Sequence, residues 1–130
     1  MGAARGKGPA TAATTRDKED LSGYGFGGLG PTILGIQVQI TGRVNATTQS
    51  PKFCVQLSGD GGNTWTTGKT TANLSTGLAT YTLGTTADTW GQAWTPAMFG
   101  SLFRVRVIDL ANSTTRTFYL DSVQVAVTYQ

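Results

Sequence analysis

The sequence predicts an all-β protein: a two-sheet antiparallel β-sandwich, jelly-roll-like in topology, with an extended N-terminal arm. Only 13% of the 130 residues are charged and glycine is abundant, a composition typical of short strands joined by tight turns. Several segments alternate apolar and polar residues with a period of two, and turn signals separate them at the spacing found in sandwiches. We therefore expect an arm over residues 1–30 and one sandwich domain over residues 31–130, with a small barrel as the alternative fold.

The arm is predicted from its inability to form a core. Residues 1–20 contain glycine, alanine, threonine and mixed charge, with almost no large apolar side chain. In residues 21–30, Tyr24, Phe26 and Leu29 are separated by glycines. Each large side chain nevertheless gains roughly 1.5–3 kcal/mol when it is buried. We expect the arm to lie extended on a neighbouring subunit.

The first half of the domain contains two clear strand patterns. Residues 36–40 and 53–57 alternate between apolar and polar side chains, which predicts strands with one buried face. Residues 58–63 include Asp-Gly and predict a hairpin turn. We expect a returning strand to begin at Trp65.

The second half continues the pattern after an irregular stretch. Residues 80–83 predict a strand, residues 85–100 are the least regular part of the domain, and residues 103–107 predict an amphipathic strand. The last strand covers residues 118–129, and its apolar face changes parity at residues 121–122. Because one extra residue reverses the facing of a strand, we predict a β-bulge there.

Catalysis and metal binding are not predicted. The chain has no histidine and one cysteine, Cys54, so it lacks the commonest general base and the cysteines of a thiolate zinc site. The spacing of Asp60, Asp88, Asp109 and Asp121 does not indicate the carboxylate pair of a glycosidase. We expect no enzyme activity, no cofactor and no metal.

Five side chains are candidates for a surface site or an interface. Trp65, Trp90 and Trp94 could stack on sugar rings or anchor an interface, and burial in the core or at a subunit contact is favoured because tryptophans usually bury much of their area. Arg104 and Arg106 lie on one face of a predicted strand. Without interleaved aromatic residues, they indicate a solvated face or one that forms salt bridges between subunits, rather than a nucleic-acid site.

Four segments resemble a known type of module. They are residues 36–40 (IQVQI), 88–96 (DTWGQAWTP), 103–107 (FRVRV) and 118–129 (FYLDSVQVAVTY). Together they look like a β-sandwich module of uncharacterised proteins from tailed bacteriophages and environmental bacteria, over most of residues 33–129. The resemblance implies the sandwich fold and names no activity.

The layout of the chain carries a second resemblance. A basic, glycine-rich arm on a small sandwich resembles the decoration (cement) proteins of phage capsids. That resemblance implies a trimer on the capsid, with an arm extended across the major capsid protein. Tyr24, Phe26 and Leu29 would then enter pockets on the neighbour, while Arg5 and Lys7 would meet an acidic surface.

The arm, the lone cysteine, and the absence of a signal peptide and of catalytic groups favour a phage virion structural protein, and the second resemblance implies a capsid decoration protein that forms homotrimers. A net charge of +3 is too weak to indicate specific nucleic-acid binding. The chain shows no signal peptide and no membrane span, so we expect it to be made in the host cytoplasm and to reside in the virion. The alternatives are a carbohydrate-binding or adhesion module of a tail fibre or cell surface, and a subunit of an extracellular filament.

Overall fold

The residues that the structure describes form nine β-strands and one short 3-10 helix, Pro96–Phe99. The computed structural model describes residues 2–5, 10–11, 18–24, 26, 29–48, 50–111 and 117–130, and for residues 2–5 and 10–11 it describes the backbone alone. The strands are β1 Gly2–Arg5, β2 Ala10–Thr11, β3 Lys18–Leu21, β4 Ile33–Val44, β5 Lys52–Ser58, β6 Lys69–Thr70, β7 Ala79–Leu83, β8 Arg104–Leu110 and β9 Thr117–Tyr129.

The strands form two antiparallel sheets, which confirms the predicted two-sheet sandwich. The five-stranded sheet has the order β1-β9-β4-β7, with β2 also paired to β9, and the four-stranded sheet has the order β3-β8-β5-β6. From β3 onward, every connection except the one from β5 to β6 crosses from one sheet to the other. The chain thus links the two layers repeatedly around one core.

The core lies between the sheets and consists largely of the inward-facing apolar residues of the long strands. Alternate residues of β4, β5, β8 and β9 point inward because successive side chains of a strand face opposite sides. Fully or almost fully buried are Ile36, Val38, Ile40, Phe53, Val55, Leu57, Val105, Val107, Val123 and Val125. The predicted strands at residues 36–40, 53–57 and 80–83 are therefore confirmed, as is the one at 103–107.

The parity change in β9 has the predicted cause. Thr41 of β4 lies opposite Ser122, but the next residue, Gly42, lies opposite Leu120. Asp121 is therefore the extra residue of β9 at this point. The bulge allows Leu120 and Val123, which are three residues apart, both to be buried.

The turn after β5 is held by a carboxylate. Asp60 accepts hydrogen bonds from the Thr64 backbone N–H at 2.9 Å, the Thr64 hydroxyl at 2.5 Å and the Ser58 hydroxyl at 2.7 Å. The bonds from Thr64 and Ser58 lower the pKa of Asp60 to about 2. The predicted turn over residues 58–63 is confirmed.

A strand does return antiparallel to β5, but its predicted start at Trp65 is wrong, because β6 contains only Lys69–Thr70. Two threonine hydroxyls take the place of main-chain acceptors on either side of it. The Leu57 N–H donates to Thr66 Oγ1 at 3.0 Å, and the Phe53 N–H donates to Thr71 Oγ1 at 3.1 Å. Some backbone N–H groups of β5 are thus hydrogen-bonded to side chains instead of to a neighbouring strand, so regular strand pairing does not extend to Trp65.

The described part of the first 30 residues lies on the sandwich of the same chain. β1 and β2 pair with β9 of the five-stranded sheet, and β3 pairs with β8 of the four-stranded sheet. The N-terminal segment therefore covers the same side of both sheets. A contact of this segment with another subunit, and the domain boundary at residue 30, stay predictions.

Candidate interaction site

An aromatic cluster fills the end of the sandwich at which β3 and β7 finish and β8 begins. Tyr24 and Phe26 come from the segment after β3, Trp94 and Phe99 from the loop before β8, and Phe103 directly precedes β8. Phe103 is central, with ring centroids 5.8 Å from Tyr24, 5.6 Å from Phe26 and 5.1 Å from Phe99. Most contacts are edge-to-face or tilted, which suits the aromatic quadrupoles.

An open apolar groove of about 310 Å³ lies beside this cluster, and we call it the aromatic groove. One wall comes from the N-terminal segment and the other from the 3-10 helix. Its lining residues are Phe26, Leu29, Pro96, Ala97, Phe99 and Gly100. Phe26 and Leu29 are half-buried and Phe99 is buried, so the groove offers apolar side chains to a partner on a buried aromatic base.

Tyr24, Phe26 and Leu29, the residues predicted to enter pockets on a neighbour, differ in what they offer. Tyr24 is 5% exposed and packs in the core of its own chain. Among the described residues, its hydroxyl is the only buried side-chain polar atom without a hydrogen-bond partner, and burial raises the pKa of this phenol. Only Phe26 and Leu29 of the three remain open to a second molecule in this arrangement.

The loop that leads to the 3-10 helix is anchored at Trp90. Its indole N–H donates to the Ile36 carbonyl of β4 at 2.8 Å, and its ring is buried. Trp90 adopts a left-handed backbone conformation with φ of 58°, which is costly for a bulky residue. Gly84, at φ +82°, packs directly against the indole and the Ile36 carbonyl, so a side chain there would displace the ring.

Asp88 and Trp94 complete this anchoring. The Asp88 carboxylate accepts from the Trp90 backbone N–H at 2.8 Å and pairs with Lys69 at 2.8 Å. The hydrogen bond from Lys69, followed by that from Trp90, lowers the pKa of Asp88. The Trp94 indole N–H donates to the Thr89 carbonyl at 2.7 Å. Each indole N–H of the loop therefore has a backbone acceptor.

The burial of Trp90 and Trp94 agrees with the core interpretation made from the sequence. Their exposures are 4% and 8%, so neither presents a ring face on which a sugar could stack. Trp65 is different, because it is only half-buried on the outer face of the four-stranded sheet. The guanidinium of Arg106 lies 3.8 Å from the centroid of the Trp65 ring.

Arg106 forms a salt bridge on the same face, but with a residue of its own chain, so a salt bridge to another subunit stays a prediction. Its Nε donates to Asp20 Oδ1 at 2.8 Å and its second terminal nitrogen to Asp20 Oδ2 at 3.2 Å. This pair joins β3 to β8 within one chain. The Asp20 side chain is 47% exposed, and exposed ion pairs contribute little.

The remaining predicted basic residues lie apart from the groove. Arg104 donates to the backbone carbonyls of Ser101 and Phe103, so it closes the turn before β8. Arg5 ends β1 opposite Ser122. Lys7 lies outside the described residues. No described contact brings these three together.

Sequence reasoning missed Pro96 and Phe99 of the groove, and the partners Asp20 and Lys69. Proline before an apolar run is a usable signal, because proline is favoured at the first position of a helix, and here it begins the 3-10 helix. The Asp20–Arg106 pair joins residues 86 positions apart. Such a pair becomes visible only once the register of β3 on β8 is known.

The described residues contain no group of three or more cysteine, aspartate or glutamate side chains that could hold a metal ion. Within the same part of the chain, no helix has the length and apolar character needed to cross a membrane. Comparison with protein-family models, with curated proteins and with solved structures finds no match to this chain.

Proposed function

We propose that the protein is a structural subunit of a phage virion and, within the virion, a decoration protein of the capsid. The observation that carries this proposal is the aromatic groove, which places half-buried Phe26 and Leu29 beside a 3-10 helix whose Phe99 packs against Trp94. A rigid body with an apolar groove at one end is suited to adhesion. The resemblance of the chain to phage β-sandwich modules and decoration proteins selects the virion as the setting.

The charge distribution supports the same role. Arg5, Lys7 and Arg16 are the only charged residues among the first sixteen, and the rest of the chain carries seven basic and seven acidic residues. Residues 17–30 add Lys18 and three carboxylates, a net charge of −2, so the whole excess of +3 lies in a shorter segment, residues 1–16. Such a segment is drawn to an acidic surface, while an apolar side chain of the capsid protein that enters the groove gains roughly 1.5–3 kcal/mol.

Binding to capsids tests this function. The tagged chain is mixed with purified capsids that lack it, from the phage whose genome encodes it, and bound protein is measured by co-sedimentation. Wild-type chain should bind in stoichiometric, saturable amounts. Replacement of Phe26 and Leu29 by serine should weaken binding by about tenfold or more, since about 1.4 kcal/mol of lost contact is a factor of ten.

The matched control is Leu78→Ser. Leu78 is 60% exposed and lies directly before β7, at the opposite end of the sandwich. This variant makes the same chemical change away from the groove and should bind like the wild type. A wild-type chain that does not sediment with capsids contradicts the proposed function, and equal losses in both variants contradict the assignment of the groove.

Carbohydrate binding remains a second candidate because of one observation, the half-buried Trp65 ring on the outer face of the four-stranded sheet. A glycan would stack on the part of the ring that the Arg106 guanidinium leaves exposed, since Arg106 and Gln56 already donate to Asp20 and the Thr66 carbonyl. A glycan array should then show binding that Trp65→Ala abolishes without loss of the fold. An array on which the wild type binds nothing removes this candidate.

A further inference from the structure

The N-terminal segment is a separable part of the sandwich. Among the described residues, Leu21 and Tyr24 are its only members of the buried core cluster, and every other member lies at or after Ile33. The body of the protein therefore carries nearly all of its own core. What the segment adds is the cover of one side, with β1 and β2 on β9 and β3 on β8.

That side cannot be left open when the segment moves. Without the segment, β9 and β8 become the edge strands of their sheets. Their backbone hydrogen-bonding groups on that side are then unpaired, next to apolar side chains that are buried in the core. Uncovered edges of this kind pair readily with another strand. The strand that fits them best is the same segment from a second copy, because it repeats the pairing of Asp20 with Arg106 and the packing of Tyr24 on Phe103.

The sequence between β3 and β4 permits this exchange. Five of the nine residues from Ser22 to Gly30 are glycine, and glycine allows the backbone to take more than one direction. Gly30 marks the fixed end of the connection, because it packs directly against the Gln130 carbonyl and the Tyr129 ring at the end of β9. Because Phe26 moves with the segment, the free connection runs from Phe26 to Gly30, four residue steps that span at most about 14 Å when extended, so the exchanging subunits must be in direct contact at this end of the sandwich.

The contacts made within one chain do not favour that chain over a neighbour. β3 forms a four-residue ladder, its ion pair is largely exposed at Asp20, and the Tyr24 hydroxyl is buried without a partner. Where copies are held side by side, the effective concentration of a neighbour's segment approaches that of the chain's own. This step rests on the proposed function, since a capsid surface is what holds the copies together.

We propose that the segment up to Phe26 is exchanged between copies of this chain, so that β3 of one subunit pairs with β8 of the next. The aromatic groove is then a composite site. Phe26 comes from one copy, while Pro96 and Phe99 come from its neighbour. A virion partner that enters the groove would therefore contact two subunits at once.

Cysteine pairing across the β3–β8 ladder tests the exchange. Two full-length chains are prepared with Cys54→Ser, one carrying Asp20→Cys and the other Arg106→Cys, since residues 20 and 106 lie directly opposite. They are unfolded together, refolded at about 1 mM, comparable with the effective concentration of a short flexible connection, and oxidised. A tag on one chain identifies heterodimers on a non-reducing gel and by intact mass.

The exchange predicts a disulfide-linked heterodimer, roughly tenfold above the level given when Thr41→Cys replaces Asp20→Cys. Thr41 is the control because it lies on β4 of the other sheet. A chain carrying both Asp20→Cys and Arg106→Cys shows whether the pair can close within one molecule. If this chain oxidises as a monomer and the mixture gives no heterodimer above the control, the exchange is overturned.

Residues 20 and 106 could fail to form a disulfide both within one chain and between two chains. The experiment is then repeated with Lys18→Cys and Ile108→Cys, the other opposed pair on that face, and its outcomes have the same meaning. Capsid binding is measured separately. A chain that binds capsids but forms no heterodimer overturns the exchange and leaves the proposed function standing. A chain that forms heterodimers but does not bind capsids supports the exchange and contradicts the proposed function.

Discussion

Two aromatic segments meet at one end of this sandwich, and they are held in different ways. The loop over residues 85–100 is fixed by hydrogen bonds, because Trp90 and Trp94 each donate to a backbone carbonyl and Asp88 joins the loop to Lys69. The segment from β3 to Phe26 is held by apolar burial, a four-residue ladder and a half-exposed ion pair. Its Tyr24 hydroxyl is buried without a partner.

The difference separates a permanent part of the fold, the loop over residues 85–100, from a part that can detach, the segment from β3 to Phe26. Buried polar groups that are all satisfied hold one arrangement, because breaking any of them leaves an unpaired group away from water. Apolar contacts are less directional and can be made equally well with another copy of the same surface. The loop therefore provides the rigid wall of the aromatic groove, and the segment provides the wall that can be exchanged.

The largest expected effect concerns the permanent part. Trp90→Ala removes a buried ring and the donor to the Ile36 carbonyl, so we expect a loss of about 3–5 kcal/mol in the free energy of unfolding. Urea unfolding followed by the fluorescence of Trp65 and Trp94 measures it. A loss below about 1 kcal/mol, typical of a surface substitution, contradicts the assignment of Trp90 as the anchor.

The second prediction compares the two segments through one kind of substitution. Trp94→Phe leaves the Thr89 carbonyl without its indole donor, and it should destabilise the protein by about 1–3 kcal/mol. Tyr24→Phe removes an unsatisfied hydroxyl from the core, and it should stabilise the protein by about 1 kcal/mol. The midpoints of urea unfolding measure both changes, provided that the slope of the free energy of unfolding against urea concentration stays the same. Effects of the same sign would remove the distinction between the segments.

Much of the permanent part was predictable from the sequence. The period-two patterns located β4, β5, β7, β8 and β9, and the parity change located the bulge at Asp121, because burial of one sheet face fixes which residues point inward. The strand at Trp65 was predicted wrongly because a threonine hydroxyl replaces a main-chain acceptor there. A local pattern does not reveal that substitution.

The interaction site was less predictable, since it depends on contacts between distant residues. Tyr24, Phe26 and Leu29 stood out because large side chains among glycines need a surface to cover. The sequence could not indicate that Tyr24 contacts Phe103, or that Asp20 contacts Arg106. These contacts depend on the register of β3 on β8, which four residues of mixed polarity do not specify.

The third prediction uses pH to loosen the permanent part. The pKa of Asp88 is lowered in the folded protein, chiefly by Lys69 and then by the Trp90 N–H. Its contribution to stability is therefore complete above the unfolded value of 3.8 and is lost as the pH falls through the lowered folded value. The pKa of Asp60, about 2, adds to the loss over the same acid range.

Urea midpoints measured from pH 6 down to about pH 2 follow this loss. Asp88→Asn keeps an acceptor for the Trp90 N–H but removes the titration, so its midpoint should fall less steeply below about pH 4. Asp60→Asn is the matched variant in the turn after β5. Midpoints that fall equally steeply in both variants and the wild type would contradict a role for these carboxylates.

The smallest expected effect on global stability separates the two segments best. Asp20→Asn breaks a half-exposed ion pair, so the free energy of unfolding should fall by only about 0.2–1 kcal/mol, and less at high salt. The loss should be local, because β3 can leave β8 while the rest of the core stays intact. Amide hydrogen exchange should therefore speed up in peptides covering residues 18–24 and stay unchanged over residues 88–94.

Lys18→Gln removes a charge from the same strand and serves as the control. Faster exchange in both segments would mean that β3 opens only together with the body, and the segment would then be as permanent as the loop.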